Sequence, residues 1–380
     1  MSLADDDLVI RKARAQDYDA IVRNGDVYGG KDYLPALYPR AVTDPDFYPI
    51  VAEVKGEIVG FMMERLIDGG LSIITMAGRT VPAYRNKGVM HKMGLELLKD
   101  RPGRCPAIQY LYSAVRDKVA GRAADDLRLD GYVEILRKPI TSWVYHLKDL
   151  CSINSTATEG LPPVIALEYE DLKALFAMQD IVERLFPLKR LFNNYIGYRC
   201  LECNIRHLLD LNKEVCLTTK FSSWTLDTKG STFPTPESTN PEPDKSENND
   251  TIAETNIAAN KSPGETSGSA KMSALRGIDV VTFSEWFMAE AGLVYVVDVY
   301  ARDGHSEASL QAHIARHLRH LLQLNLCDQG VFVVSLTNNV SEEKVRALLK
   351  HHGIVEPLPE TEKWKALHEK KLETWSDSKL

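Results

Sequence analysis

The chain has 380 residues, of which 44% are hydrophobic and 26% are charged, a composition that excludes fibrous, collagenous and disulfide-stapled proteins. Its length is enough for two or three globular domains. Forty-six basic residues against fifty-three acidic ones give a net charge of −7, which offers no broad basic surface for nucleic acid. We therefore expect no nucleic-acid partner.

The amino-terminal segment Met1–Asp7 is acidic where a secretory signal is basic and then apolar. No uninterrupted apolar run reaches the length that spans a bilayer, so we expect no membrane partner. Six cysteines in the whole chain are too sparse for a disulfide framework. These features predict a cytoplasmic protein with reduced thiols.

Strand and helix patterns fill residues 1–150, which we predict to be the first domain. The apolar run Leu8–Ile10 predicts a strand, and the helix after it carries Tyr18, Ile21 and Val22 on one face. Three strands separated by glycine turns then predict an antiparallel meander, which leads through a loop into a helix. The meander strands are Pro49–Val54, Ile58–Ile67 and Leu71–Val81, and the later elements are a helix at Val89–Lys99, a strand at Ile108–Val115, a helix at Ala120–Leu129 and a strand pair within Gly131–Trp143.

The remaining residues predict a second lobe that is interrupted by an insertion. Residues 151–224 form its first part. Residues 225–274 are rich in Ser, Thr, Pro, Asn, Glu and Gly and hold one aromatic residue, which predicts a disordered insertion. Residues 275–380 complete the lobe in the order strand, strand, helix, strand, helix. The predicted elements include helices at Tyr169–Ala177 and Tyr195–Leu211, a strand at Glu214–Lys220, and a short docking helix in the basic run Lys363–Lys371.

The loop Arg85–Met90 carries the clearest functional signal. It joins a predicted strand to a predicted helix, where free backbone N–H groups and the positive end of the helix dipole favour phosphate oxygens. Gly88 lets the backbone approach a ligand closely, and Arg85 and Lys87 add positive charge. The sequence therefore predicts a phosphate-containing ligand here, with a solvated basic turn as the alternative. The predicted ligand-binding residues are Arg85, Asn86, Lys87, Gly88, Val89 and Met90.

The order of elements around this loop resembles a known family. A strand, a helix and a meander that ends in Arg79–Val81, followed by the loop at the start of a helix, resemble the acetyl-CoA site of the GNAT superfamily of N-acyltransferases. The segment Tyr28–Pro35 is similar to the corresponding loop of histidine N-acetyltransferase-like members, which pair a GNAT domain with a GNAT-like second lobe. The resemblance implies an α/β fold with a mixed sheet and acetyl-CoA as co-substrate.

The resemblance also implies where the co-substrate lies. Arg79, Thr80 and Val81 would flank the pantetheine arm like an added strand, and the diphosphate would lie over Arg85–Met90. A backbone N–H at Thr80 or Val81 would serve as oxyanion donor. Met90 stands where this superfamily usually has Gly or Ala, so its bulk is expected to crowd the diphosphate.

The catalytic residues are less well defined. Met62 and Met76 stand where histidine-acetylating relatives carry glutamates. Glu64 lies two residues from Met62, and hence on the same face of its strand, so it is our candidate general base. Tyr112 and Tyr132 are candidate acids in place of the usual tyrosine. The alternative is a structural role for all three, with Glu64 as a charge at a strand end and the tyrosines as packed aromatic residues.

The loop that carries Tyr28, Asp32 and Tyr33 lies where acceptor substrates approach in this fold. Asp32 is predicted to hold an ammonium or imidazolium group, and the tyrosines to stack on a flat side chain. A well-packed turn is the alternative.

A metal site is a further alternative. His313, His317 and His320 share one face of a predicted helix, a spacing that suits zinc or copper. Because no cysteine or carboxylate accompanies them at matching spacing, we predict no metal.

The predicted function is acetyl-CoA-dependent N-acetylation of a small-molecule amine, with a free amino acid such as histidine as the leading acceptor. One alternative is a catalytically inactive GNAT-fold module that binds acyl-CoA or docks a partner, which Met62, Met76 and Met90 favour. The other is a protein N-acetyltransferase. The sequence leaves the acceptor and the oligomeric state open.

Overall fold

A computed structural model describes residues 8–23, 29–117, 125–150, 159–210, 212–219, 275–358 and 363–372. Tyr28 and the insertion predicted at 225–274 lie outside these ranges. The described part is built on one continuous mixed sheet with helices packed against it, as the predicted α/β fold class requires. None of its helices is both long enough and apolar enough to cross a membrane.

The first half of the chain supplies five strands that lie in sequence order in the sheet. They are β1 (Leu8–Lys12), β2 (Phe47–Val54), β3 (Glu57–Ile67), β4 (Ser72–Thr80) and β5 (Tyr110–Arg116), with helices α1 (Tyr18–Val22), α2 (Leu34–Ala41) and α3 (Val89–Arg104). Neighbours from β1 to β4 pair antiparallel, and β4 pairs parallel with β5. The predicted first strand, first helix, meander and loop-to-helix transition are confirmed.

The later elements continue the same sheet. Its strands are β6 (Val133–His146), β7 (Ile165–Ala166), β10 (Lys213–Thr219), β11 (Ile278–Ala289), β12 (Gly292–Ala301), β13 (Gln329–Ser335), β14 (Glu356–Pro357) and β15 (Trp364–Lys371), and β8 (Arg190–Asn193) with β9 (Ile196–Arg199) forms a separate hairpin. The helices are α4 (Leu147–Leu150), α5 (Tyr169–Ala177), α6 (Gln179–Leu185), α7 (Ile205–Leu208), α8 (Glu307–Leu324) and α9 (Glu342–His351). The strand order is β1-β2-β3-β4-β5-β15-β6-β13-β12-β11-β10-β7, and β14 pairs with β6.

Three predicted elements were wrong. The strand pair within Gly131–Trp143 is the single strand β6, and the helix predicted over Tyr195–Leu211 is mostly the strand β9 and turns. The docking helix predicted at Lys363–Lys371 is the strand β15, which lies between β5 and β6. The strand pairs on both sides: Lys365 lies opposite Arg116 of β5, and Trp364 lies opposite Pro139 of β6. This pairing outweighs the weak helical spacing of apolar residues in that run.

The strand β15 joins the two halves of the chain. It pairs with the first part of β6, whereas the second part of β6 pairs with β13. The last described strand therefore completes the sheet that the first half of the chain begins, on the far side of the domain boundary that we predict near residue 150.

Apolar clusters on the two faces of β2–β4 hold this part of the sheet. On one face, α1 and α2 cover Phe61 and Met63. On the other, Val89, Met93 and Leu97 of α3 recur every four residues and pack on the sheet. Burying each such side chain contributes roughly 1.5–3 kcal/mol, so this stripe fixes α3, and with it the loop before it, against the sheet.

Candidate functional site

The segment between β4 and α3 forms an open helix N-terminus. Asn86 has φ 61° and Gly88 has φ 80°, so both adopt the left-handed conformation, which glycine tolerates without strain. Gly88 is the N-cap of α3 and has no side chain to cap it. The backbone N–H groups of the first turn of α3 therefore lack the partners that a capping side chain gives.

Two cations flank this helix end. Arg85 is exposed, and its Nε donates to the carbonyl oxygen of Thr80 at 3.2 Å. The Lys87 ammonium lies 4.9 Å from the centre of the Tyr84 ring. Within the described ranges neither cation has a carboxylate partner, and the first turn of α3 holds no acidic residue. Helix dipole and side chains together favour a phosphorylated ligand.

A gap opens beside the loop because β4 and β5 pair over only Ser72–Thr75. Beyond that point β4 carries a bulge in which Ala77 and Gly78 lie opposite the single residue Met62 of β3. Ala77 has φ 56°, a strained conformation for a non-glycine residue. Such bulges redirect a strand edge, and here the redirected edge runs along the gap toward Arg85.

The backbone of β4 presents Thr80 to this gap. Val81 donates its N–H to the carbonyl of Val59 at 2.9 Å, so its amide points toward β3. Because alternate residues of an antiparallel strand point to opposite sides, the Thr80 amide points away from β3 and the Arg79 amide toward it. Of the two expected oxyanion donors, Val81 is thus engaged, and Thr80 keeps the geometry that the role needs.

A cavity of about 270 Å³ lies between the first half of the chain and the second lobe. Its lining includes Tyr33 from the start of α2, Arg65 from β3, Asn194 from the β8–β9 turn and Glu285 from β11. Met76 also lines it, and Met76 is the first β4 residue beyond the pairing with β5. The cavity therefore meets the gap at the point where the two strands separate.

The sequence did not predict the polar side chains of the cavity. Glu285 accepts a hydrogen bond from Nδ2 of Asn194 at 3.2 Å, and its carboxylate lies 3.5 Å from Nζ of Lys213. Arg65 is buried at the same cavity. These residues come from four elements, β3, the β8–β9 turn, β10 and β11, and no local motif marks any of them, so only the folded chain brings them together.

Comparisons with known proteins give partial matches to N-acetyltransferases. No family profile matches the chain. It is 24% identical over 184 residues to a histidine N-acetyltransferase of Xenopus tropicalis, covering 47% of this chain and 55% of that protein. Its fold matches a GCN5-related glucosamine N-acetyltransferase region of a fungal multi-domain GH3 β-N-acetylglucosaminidase, with a TM-score of 0.50 and 11% identity over 95% of this chain and 38% of that one. The fold is that of the GNAT N-acetyltransferases.

Other similar proteins are also partial matches. A histidine N-acetyltransferase of Oreochromis niloticus is 23% identical over 213 residues, covering 52% of this chain and 61% of the relative. A probable N-acetyltransferase 16 of Homo sapiens is 32% identical over 71 residues, which is 19% of each chain. The chain thus spans little more than half the length of the histidine N-acetyltransferases it matches.

The second lobe has a helix, α8, in a comparable position after β12, and a buried carboxylate lies beside its N-terminus. Asp279 accepts hydrogen bonds from the Ser306 N–H at 2.8 Å and the Ser309 hydroxyl at 2.6 Å. It also pairs with Arg302 at 2.6 Å and is fully buried. A carboxylate of the protein therefore lies where an anion would approach α8, whereas the first turn of α3 holds no acidic residue.

Met90 packs toward the sheet. It is half-buried, and a Cβ added to Gly78 would come within 2.7 Å of the Met90 methyl group. The side chain thus covers the bulge of β4, while the Met90 N–H stays in the open first turn. This position of the Met90 side chain argues against the expected crowding of a diphosphate.

Asp32 and Arg79 bind each other. The buried guanidinium of Arg79 donates to both oxygens of Asp32, at 2.7 and 3.1 Å. Asp32 also accepts from the backbone N–H of Leu34 at 3.0 Å. This pair anchors the loop before α2 to β4, which argues against the predicted binding of an ammonium group by Asp32. Of the predicted acceptor-binding residues, Tyr33 lines the cavity, and Tyr28 lies outside the described residues.

Glu64 is paired with two arginines at the far end of α3. It is 1% exposed, its Oε1 accepts from Nε of Arg101 at 2.9 Å, and its Oε2 accepts from Arg104 at 2.8 Å. Thirteen residues of helix separate Arg101 from Gly88, about 20 Å at 1.5 Å per residue. This position and pairing argue against Glu64 as the general base.

The two candidate acids also have structural surroundings. Tyr112 is fully buried and donates to Oε2 of Glu369 at 2.6 Å, and burial raises the pKa of its hydroxyl. Tyr132 packs beside Ile73 and Leu111, and burial raises its pKa to about 12. Neither hydroxyl lines the cavity described above, so the geometry argues against both as catalytic acids.

The three histidines of α8 bond within the protein. His313 Nδ1 and His317 Nε2 lie 2.9 and 2.8 Å from the Thr282 hydroxyl, and His320 Nδ1 lies 2.9 Å from the Tyr295 hydroxyl. In the part of the chain that the structure describes, no three His, Cys, Asp or Glu residues are placed to hold a metal ion. The spacing that suggested zinc instead serves a buried hydrogen-bond network.

This network predicts acid sensitivity. Burial, assisted by Arg316, lowers the pKa of His313 to about 3, whereas an unfolded histidine titrates near 6.5. The unfolded chain therefore binds more protons in this range, so the stability from the neutral ring is complete above pH 6.5 and is lost as the pH falls toward 3. We expect His313 alone to lower the free energy of unfolding by about 2 kcal/mol between about pH 7 and pH 5.

Urea unfolding of the protein at a series of pH values measures this effect, and the His313→Gln variant provides the comparison. A variant that loses as much stability on acidification as the wild type would contradict the assignment of the effect to His313.

Proposed function

We propose that this protein is a GNAT enzyme that transfers an acetyl group from acetyl-CoA to the amine of a small molecule, with a free amino acid such as histidine as the leading acceptor. The observation that carries the proposal is the uncapped N-terminus of α3, flanked by Arg85 and Lys87 and open to the gap beside β4. The names of the partial relatives support the acceptor class. The described cysteines are all free, as expected in the cytoplasm, which we propose as its location.

The proposed co-substrate fits the groups present. The first-turn amides of α3 from Val89 onward, with Arg85 and Lys87, would hold the diphosphate, and the Thr80 backbone would hold the pantetheine arm. Arg85 has to leave the Thr80 carbonyl to expose that edge. Bound acetyl-CoA supplies an activated thioester, and the protein contributes its orientation along the gap.

The cavity supplies the acceptor side of the reaction. An amine held there approaches the gap at Met76, where direct attack in a ternary complex requires no covalent enzyme intermediate. Glu285 replaces Glu64 as our candidate to take the amine proton, directly or through a water molecule. The Thr80 N–H is the candidate donor for the developing oxyanion.

Thiol release from acetyl-CoA across a panel of free amino acids, amines and short peptides tests the proposal. We expect release with one or a few free amino acids. Release with peptides alone would instead support a protein N-acetyltransferase. Binding of acetyl-CoA without release by any acceptor would support the inactive binding module.

Reversing the charge of Arg85 should weaken co-substrate binding. Because the side chain is exposed, we expect the Arg85→Glu variant to bind CoA only about tenfold more weakly, with the loss largest at low salt. Calorimetric titration with CoA measures it. The control is Arg346→Glu on α9, another exposed arginine, which should bind as the wild type does. Equal affinity of the Arg85 variant and the wild type would remove the loop assignment.

Removing the charge of Glu285 should slow turnover. We expect the Glu285→Gln variant to lose about 100-fold in kcat while its acetyl-CoA affinity stays unchanged, because the loss of a general base affects the chemical step. Steady-state kinetics with a reactive acceptor measures both quantities, with the exposed Glu290→Gln as control. A variant with wild-type kcat would exclude Glu285 as the base.

A further inference from the structure

Arg65 on β3 is a buried guanidinium at the wall of the cavity with neutral neighbours. It is 3% exposed. Nη1 donates to the Tyr198 hydroxyl at 3.1 Å, Nη2 lies 2.9 Å from Nδ1 of His207, and the guanidinium carbon lies 4.8 Å from the centre of the Phe47 ring. Its Nε has no hydrogen-bond partner among the described residues.

The histidine beside Arg65 carries no compensating charge. Burial, together with the charge of Arg65, lowers the pKa of His207 to about 3, so the ring is neutral near pH 7 and its Nδ1 accepts from Arg65. In the described part of the chain, no carboxylate pairs directly with Arg65, although the nearby Asp44 carboxylate interacts with its charge. Arg65 is thus a buried positive charge with no carboxylate in contact with it, which is costly unless a ligand supplies one.

Other arginines of the first domain show the contrast. Arg79 and Arg101 are also buried, and each pairs with a carboxylate, Asp32 and Glu64 respectively. Arg65 is the buried arginine of this group that borders the cavity and lacks such a partner.

The carboxylates of the cavity are committed to other partners. Asp210 pairs with Arg40, and Glu285 pairs with Lys213. The charged residues that line the cavity are therefore three cations and two anions, and the unmatched charge belongs to Arg65. An acceptor that brings one carboxylate would balance it.

We propose that Arg65 is the residue that selects the acceptor, by binding a carboxylate of the acceptor through its free Nε proton and its remaining Nη protons. The inference rests on the proposed function and adds a requirement to it: the amine to be acetylated must belong to a molecule that also carries a carboxylate. A guanidinium presents parallel N–H groups that match the two oxygens of a carboxylate, which gives both affinity and orientation.

The requirement excludes close analogues of an amino acid. Conversion of the acceptor carboxylate to an amide, or its removal, leaves Arg65 buried without a counter-ion. Loss of one partner of a buried charged pair typically lowers binding by about 30-fold or more. Histidine, histidinamide and histamine form a matched series in which only this group changes, and the same series exists for other amino acids.

Two measurements on the wild-type protein test the proposal. The first is kcat/KM for thiol release with each member of the series, and the second is calorimetric binding of the free acid and the amide in the presence of CoA. We expect kcat/KM for the free acid to exceed that for the amide and the decarboxylated amine by about 30-fold or more. We expect the free acid to bind more tightly than the amide by the same factor. Neither measurement depends on a variant that folds.

The outcomes separate this inference from the proposed function. Equal kcat/KM for the acid and its amide would overturn the role of Arg65 while leaving acetyl transfer intact. Selective binding of the free acid without any thiol release would support the role of Arg65 and contradict the proposed function. Absence of binding by every free acid would overturn the inference.

Variants assign the preference to the residue. Arg65→Gln should reduce kcat/KM for the free acid to the value for the amide and leave kcat/KM for the amide unchanged. Arg65→Lys should retain part of the preference for the free acid. Arg40→Gln is the matched control, because Arg40 lines the same cavity but already has carboxylate partners, and its ratio of acid to amide should equal that of the wild type. Unchanged affinity for CoA shows that each variant is folded. A wild-type ratio in Arg65→Gln would overturn the proposal.

Discussion

Replacing Asp298 with asparagine is expected to lower the free energy of unfolding by about 3–5 kcal/mol. The Asp298 carboxylate accepts from Nζ of Lys138 at 2.9 Å and from Nζ of Lys365 at 2.8 Å, and all three side chains are fully buried. Its other oxygen accepts from the backbone N–H of Asn194 at 2.9 Å. Without the charge of Asp298, two ammonium groups would remain buried with no anion among them.

The pH dependence of the Asp298 variant identifies the cause. Burial lowers the pKa of Lys138 to about 8 even with Asp298 present. Without Asp298 we expect it to fall further, so the unfolded chain binds more protons up to about pH 10.5, and the stability of the variant rises with pH in this range. The difference in free energy of unfolding between the wild type and the variant should therefore shrink as the pH rises from about 7 to 10.

Urea unfolding of wild type and variant at both pH values measures the prediction. The control is Glu307→Gln, which breaks the exposed pair with Lys344 and should change stability little. A loss of similar size in both variants, or an Asp298 deficit independent of pH, would show that the buried cluster is not what stabilises the junction of the two halves.

Removing β15 is expected to abolish cooperative folding. Chain termination after Leu358 would leave β5 and β6 with unpaired edges in the middle of the sheet. It would also remove Lys365 from the buried cluster and Leu367 from its close contact with Gly197, where an added Cβ would come within 3.0 Å or less of the leucine side chain. Both losses occur at the junction of the two halves, so neither half should keep its packing.

Circular dichroism during urea unfolding, together with size-exclusion chromatography, tests this expectation. The control is termination after Leu372, which keeps β15 intact and should unfold as the full chain does. Addition of a synthetic peptide of residues 359–372 should partly restore cooperative unfolding. A chain ending at Leu358 that unfolds cooperatively with full stability would contradict the central place of β15.

Local signals in the sequence predicted the parts of the fold that depend on nearby residues. The spacing of Val89, Met93 and Leu97 predicted α3, because a helix face is set by residues three or four apart. Glycine turns predicted the meander, since they fix how adjacent strands connect. The open helix end at Gly88 was predictable for the same reason, because the absence of a capping side chain is a local property.

The pairing of strands that are far apart in the chain could not be predicted from the sequence. The strand β15 was read as a helix because its two partners, β5 and β6, are far away in the chain. The same limit affected the candidate residues. Glu64 and Asp32 looked available because their partners, Arg101 and Arg79, lie 37 and 47 residues away. Arg65 and Glu285 carried no signal, since only folding places them at one cavity.

The most direct test of the central claim is amide hydrogen exchange of the protein with and without acetyl-CoA. We expect binding to slow exchange at the first-turn amides of α3, Val89–His91, and at Thr80 on the edge of β4, while the first turn of α8 is unaffected. Binding of acetyl-CoA that leaves exchange at Val89–His91 and Thr80 unchanged would contradict the placement of the co-substrate at this loop.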